Sequence, residues 1–168
     1  MSSRWRSVHV LVLLSILAAV GPTQGCSSKQ IRYPEDHARY NKIDRAVEQL
    51  WGAYTRKELS EIKALMLPAE DLNRVRLEIE KDFRTYQEIS LDFAIERIEI
   101  EGELVDVFVH WQGQWKETPN ELGIRDRGHG VLHWVGVEAI MLAGLEGDFP
   151  FGMASRRATV ESQGGGVF

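Results

Sequence analysis

Apolar residues recur at one spacing in the first half of this chain and at another in the second. Ile43, Val47, Leu50, Trp51 and Tyr54 form the stripe of one helical face, while Arg39, Lys42, Arg45, Glu48 and Arg56 fall off it. Pro34, followed by Glu35 and Asp36, is a suitable opening, because proline fits the first helical turn and acids favour its positive end. A shorter helix is predicted over Lys57 to Leu67, with Leu59, Ile62, Leu65 and Met66 inward and Pro68 ending it. A third runs from Glu70 to Tyr86, burying Leu72, Val75, Ile79, Phe83 and Tyr86.

From Ile89 the period is two. Ile89, Leu91, Phe93 and Ile95 alternate with Ser90, Asp92, Ala94 and Glu96, the pattern of a half-buried strand. The parity then flips to Ile98 and Ile100, which would turn the next side chains to the opposite face unless one residue is inserted. A β-bulge near Ile95 to Ile98, with a bend in the sheet, is therefore predicted. Gly102 makes a turn, and Leu104 to Trp111 returns, with Val105, Val107, Val109 and Trp111 on one face and Asp106, Phe108 and His110 on the other. Gln112 to Trp115 continues that strand. Lys116 to Asp126, with Pro119, Asn120 and Gly123, reads as a loop, and His129–Val135 and Val137–Leu145 as two further strands. Gly147-Asp148-Phe149-Pro150-Phe151-Gly152 closes the domain. The remainder, 153–168, ends in a glycine run and is expected to be a flexible tail.

The start of the chain carries an address. Arg4 and Arg6 precede the apolar run Val8 to Val20, and Gly25 precedes Cys26, the single cysteine. This is the layout of a secretory signal peptide over 1–25, its apolar part shorter than the roughly 20 residues of a spanning helix. Two readings of Cys26 remain: a lipidated N-terminus, or a leftover thiol, which an oxidising compartment disfavours. Removing 1–25 leaves 18 basic and 25 acidic residues, a net charge of −7. That excess of negative charge disfavours nucleic acid as a partner. One domain over 34–152 is expected, joined to Cys26 by the tether 26–33.

Thr23-Gln24-Gly25-Cys26 resembles the lipobox of bacterial lipoproteins, although Thr23 stands where an aliphatic residue is usual. That resemblance implies a membrane anchor through lipid on Cys26 and, with Ser27 next, the outer membrane or periplasmic face in a Gram-negative cell. Helices followed by a bent antiparallel sheet form an α+β layout, with the helices packed in the concave face of the sheet. The early helix with Trp51 and Tyr54, the long strand ending at Ile100-Glu101-Gly102, the strand Val105 to Trp111 and the closing Gly147–Gly152 segment resemble the nuclear transport factor 2-like superfamily. That superfamily includes SnoaL-like cyclases and ketosteroid isomerase. A cystatin-like sheet wrapped on a helix is the rival architecture. The resemblance implies a cone with a pocket between helices and sheet, and pairing of copies through their sheets.

Candidate chemistry is sparse. Asp106 and His110 share a strand face and are the candidate catalytic pair, a carboxylate base with an imidazole, and His133 on the next strand could stand across from either; the alternative is that this face meets solvent or a second copy. Trp51, Tyr54, Tyr86, Trp111 and Trp134 are candidate pocket-lining residues, with ordinary core packing as the alternative. His129 and His133, if in a strand, lie about 13 Å apart, too far for one metal ion; no metal and no cofactor is expected. Arg125 and Arg127 suggest an anion or a solvated loop. No serine nucleophile elbow or phosphate-cradling glycine loop occurs. The expected function is a non-enzymatic envelope module binding a small apolar ligand or a protein, with a pocket isomerase or cyclase and a purely structural component as alternatives.

Overall fold

The computed structural model describes residues 34–164, with side chains from 37 to 159. The leader, Cys26 and the tether lie outside the described residues. Helix α1 (Pro34–Thr55) presents its predicted stripe: Ile43, Val47, Leu50, Trp51 and Tyr54 are all buried, joined by Ala46 and Ala53. It ends where Lys57 takes a left-handed conformation (φ 63°) and Glu58 N–H donates to the Ala53 carbonyl, satisfying a helix-end acceptor. Helices α2 (Leu59–Leu65) and α3 (Glu70–Thr85) follow within a residue or two of expectation.

Strands β1 (Glu88–Glu101), β2 (Leu104–Lys116), β3 (Ile124–Val135) and β4 (Met141–Gly147) pair antiparallel in the order of the chain, forming one curved sheet. Ile95 pairs with Val109 and Arg97 with Phe108, so Glu96 is the extra residue of a bulge where the parity flip placed one. Both halves of β1 consequently turn their apolar side chains to the same side, Phe93 opposite Trp111 and Ile98 opposite Val107. A second irregularity lies between β3 and β4 at His133/Trp134.

Three expectations need correcting. The fourth strand, expected over Val137–Leu145, starts only at Met141, because residues 136–140 make the connection from β3. The stretch Ile124 to Arg127, expected to end a loop, opens β3, with Gln114 opposite Arg125 and Gln112 opposite Arg127. The loop signals Pro119, Asn120 and Gly123 all fall before Ile124, so the true connection ends there. Residues expected as a flexible tail form helix α4 (Met153–Gly164). Its start is fixed by Asp82 of α3, which accepts from Gly152 N–H (2.7 Å) and Ala154 N–H (2.8 Å), donors a helix start otherwise leaves unpaired.

The segment between β4 and α4 lies on the concave side. Gly128 and Gly130 face it, and a Cβ on them would meet Asp148 Cβ at 2.7 Å and Phe149 Cζ at 2.5 Å. Glycine is required there because backbone and aromatic ring approach too closely for any side chain. Trp111 Nε1–H donates to the Asp148 carbonyl (2.9 Å), and Asp148 N–H to the His129 carbonyl (2.9 Å), pinning the segment to the sheet.

Candidate functional site

On the concave side the strands offer almost no reactive group. Inward positions are Ile89, Leu91, Phe93, Ile95, Ile98 and Ile100 on β1, and Val105, Val107, Val109, Trp111, Gly113 and Trp115 on β2. On β3 they run Gly128, Gly130, Leu132 and Trp134; Asp126, exposed at the sheet's end near Arg156 (3.9 Å), is the exception. The space between sheet and helices is occupied by the chain's own rings. Trp51 packs against Phe93 (centroids 5.3 Å) and Phe151 (5.6 Å), and Tyr54 meets Phe151 edge-on at 5.0 Å. The five side chains expected to line a pocket, Trp51, Tyr54, Tyr86, Trp111 and Trp134, are each no more than 2% exposed. They are core.

Within this core sits one carboxylate, fully buried, that the sequence reading missed. Asp82 accepts from Tyr54 Oη–H (2.8 Å) as well as the two backbone N–H groups, and Tyr54 Oη in turn accepts from Trp115 Nε1–H (3.0 Å). Burial pushes the Asp82 carboxyl above the usual aspartate range, while Ala154 N–H, Tyr54 and Gly152 N–H oppose that rise. Burial first, and the neighbouring Asp82 second, hold the Tyr54 hydroxyl well above its ordinary value. The pair is chemically reminiscent of an oxyanion hole, but every oxygen already has a partner supplied by the fold. Its signal was present in the sequence: Asp82 lies three residues after Ile79 and four before Tyr86, on the apolar face of its helix. Trp51 Nε1, Tyr86 Oη and Trp134 Nε1, by contrast, are buried without a partner among the described residues.

The opposite face of the same strands is polar and open. Asp106 and His110 both lie on it, outside the concave side, and they do not pair with each other. Asp106 Oδ1 meets His133 Nδ1 at 2.7 Å, and His133 Nε2 lies 3.6 Å from Glu146. His110 Nδ1 lies 3.1 Å from Glu96, the bulge residue, which also meets His129 Nδ1 at 3.4 Å. Between these clusters Arg97 sits over the Phe108 ring, 3.9 Å from its centroid. Among the described residues no group of three or more His, Cys, Asp or Glu has a metal-holding arrangement. Each of these histidines lies against a carboxylate, and the His110 and His129 rings stand 5.9 Å apart across the strands. Open clefts run along this face, one of about 580 Å³ between Ser90, Gln112, Gln114, Arg125 and Arg127.

No family model matches the sequence, and no curated protein matches it. Solved structures do match the fold. A protein from Streptomyces avermitilis, provisionally named a dehydratase of the NTF2-like family, is 10% identical with TM-score 0.57, covering 66% of this chain and 96% of that one. An NTF2-like superfamily protein from Salmonella enterica is 9% identical with TM-score 0.56, covering 68% and 93%. A protein from Novosphingobium aromaticivorans, provisionally named a scytalone dehydratase, is 12% identical with TM-score 0.58, covering 68% and 87%. The fold is thus the nuclear transport factor 2-like α+β fold expected from the order of helices and bent sheet. At these identities the likeness extends to architecture alone.

Proposed function

We propose that this protein is an exported, lipid-anchored domain that acts without catalysis, as a binding or accessory module of a bacterial envelope, through the open face of its sheet. One observation carries this reading: the concave face, where this fold would hold a reactive pocket, bears no acid, base or nucleophile from Ile89 to Trp115, and the buried Asp82 is saturated by its own chain. Chemistry on a bound molecule needs a group within reach of it and free to exchange a proton. Polar, charged side chains crowd instead on the outward face, in clefts open to solvent. The anchoring half of the proposal rests on the sequence around Cys26. Among the described residues no helix is long and apolar enough to cross a membrane.

A second reading, a small isomerase- or cyclase-type enzyme, draws on the Tyr54–Asp82 pair and on the provisional dehydratase names of two structural neighbours. It requires substrate to reach that pair. Titrating the full chain with an apolar naphthalene probe, followed by tryptophan fluorescence, separates the readings. The module reading expects no saturable change from the four core tryptophans; saturable binding lost in Phe151→Trp contradicts it. For the anchor, intact mass of membrane-extracted protein is expected to equal residues 26–168 plus a diacylglyceryl and an acyl group. A Cys26→Ser chain that remains in the membrane fraction contradicts the lipid.

A further inference from the structure

We propose that the cleft on the outward face at the Ser90–Arg127 end of the sheet is a binding site for an acidic sugar, a polyhydroxylated molecule carrying a carboxylate. This rests on the binding-module reading and names the ligand class for it.

Register builds the site. Ser90, Gln114 and Arg125 form one cross-strand row, and Asp92, Gln112 and Arg127 form the next, all with outward parity. Adjacent outward positions on β3 lie about 6.6–6.8 Å apart and neighbouring strands about 4.8 Å, so the two guanidiniums stand side by side above a floor of amides. Neither Arg125 nor Arg127 uses its side chain in a hydrogen bond or ion pair with another described residue, whereas Arg56, Arg76, Arg97 and Arg157 are each engaged with carboxylates. Asp92 and Asp126 also line the cleft, but among the described residues neither is paired with these two guanidiniums, whose N–H forks stay available to an anion. Guanidinium forks match a carboxylate with two parallel N–H···O bonds.

The rest of the lining decides the body of the ligand. Ser90, Gln112 and Gln114 each carry both donor and acceptor atoms, one amide N–H of Gln114 already donating to the Leu122 carbonyl, and Asp92 accepts, already taking Gln112 Nε2–H at 3.3 Å. That is an inventory suited to hydroxyl groups on neighbouring carbons. The volume of about 580 Å³ falls in the range of small-molecule sites. The cleft is continuous along Asp92, Gln112 and Arg127 with a second one reaching His110 and His129, which gives room for a further sugar unit.

The test is calorimetric titration of the full chain with glucuronate, in parallel with glucose and with inorganic phosphate. Saturable glucuronate binding is expected, at least tenfold tighter than glucose or phosphate. Arg125→Ala/Arg127→Ala is expected to lose at least tenfold and Gln112→Ala severalfold, with unchanged melting temperature because these side chains are exposed. Three results overturn the proposal: no saturation by about 10 mM glucuronate; phosphate binding as tightly as glucuronate, which marks a generic anion patch; or full binding by the double variant. None of these touches the fluorescence test of the concave side, so the failure of the ligand and the failure of the module reading are told apart.

Discussion

Val107 and Phe108 are neighbours in β2, yet Val107 is fully buried against the helices while Phe108 lies on the outward face beneath the Arg97 guanidinium. The same contrast holds along the whole sheet. Strand geometry sends alternate residues to opposite sides, so one sequence writes two surfaces at once. The concave side is hydrocarbon with, among the described residues, one buried carboxylate; the open surface holds Asp106, His110, His129, His133, Arg125 and Arg127. The difference teaches that in this molecule chemical variety has been placed where it costs the core nothing. The inner face serves cohesion.

That contrast can be broken most severely at Asp82. Asp82→Ala strands two backbone N–H groups in the core and leaves the Tyr54 hydroxyl only the Pro150 carbonyl (3.1 Å) as acceptor, and is expected to destabilise by about 3–5 kcal/mol in urea unfolding. Next in size, Gly130→Ala forces a methyl group into the Phe149 ring, with an expected loss of about 1–3 kcal/mol by the same measurement. Asp82→Asn sharpens the electrostatic part. Because the folded protein holds the Asp82 proton more tightly than the unfolded chain, this group contributes its full stability below about pH 4. That contribution is lost as the pH rises through the raised value, so the stability gap between wild type and Asp82→Asn should narrow from pH 4 to pH 7. A gap that widens contradicts a raised carboxyl.

Smaller effects separate the buried tryptophans. Trp115→Phe and Trp134→Phe remove the same ring volume, but only the first removes a hydrogen bond, to Tyr54. Trp115→Phe should therefore be the costlier by about 1 kcal/mol. On the open face, Arg127→Ala should change stability by no more than about 0.5 kcal/mol. A large loss there would mean that the outward side chains hold the fold, and would undo the division of labour.

Much of this was legible in the sequence because period reports face. The stripe Ile43–Tyr54 and the flip from Ile95 to Ile98 are enough to place α1 and the bulge, and with them the α+β architecture. What the pattern withheld depends on long-range partners. The rings of Phe149 and Phe151 fill the space beneath the sheet only because Gly128 and Gly130 happen to face them, a pairing no local window contains. Helix α4 was missed for a similar reason: its start is capped from Asp82, some seventy positions earlier in the chain. Asp106 was placed on the correct strand face, and of the two imidazoles open to it His133 from β3 is the partner and not His110, because a cross-strand neighbour comes nearer than a residue four steps along the same strand.

Hydroxyl-radical footprinting of the native full chain, read by mass spectrometry, tests the division between the faces most directly. Outward Leu104 and His129 should be oxidised rapidly, while Trp51, Trp115 and Trp134, intrinsically more reactive, should stay protected until the protein unfolds. Oxidation of Trp51 or Trp115 in the folded protein as fast as Leu104 would mean that the concave side admits solvent and ligand, and the account given for both faces would be wrong.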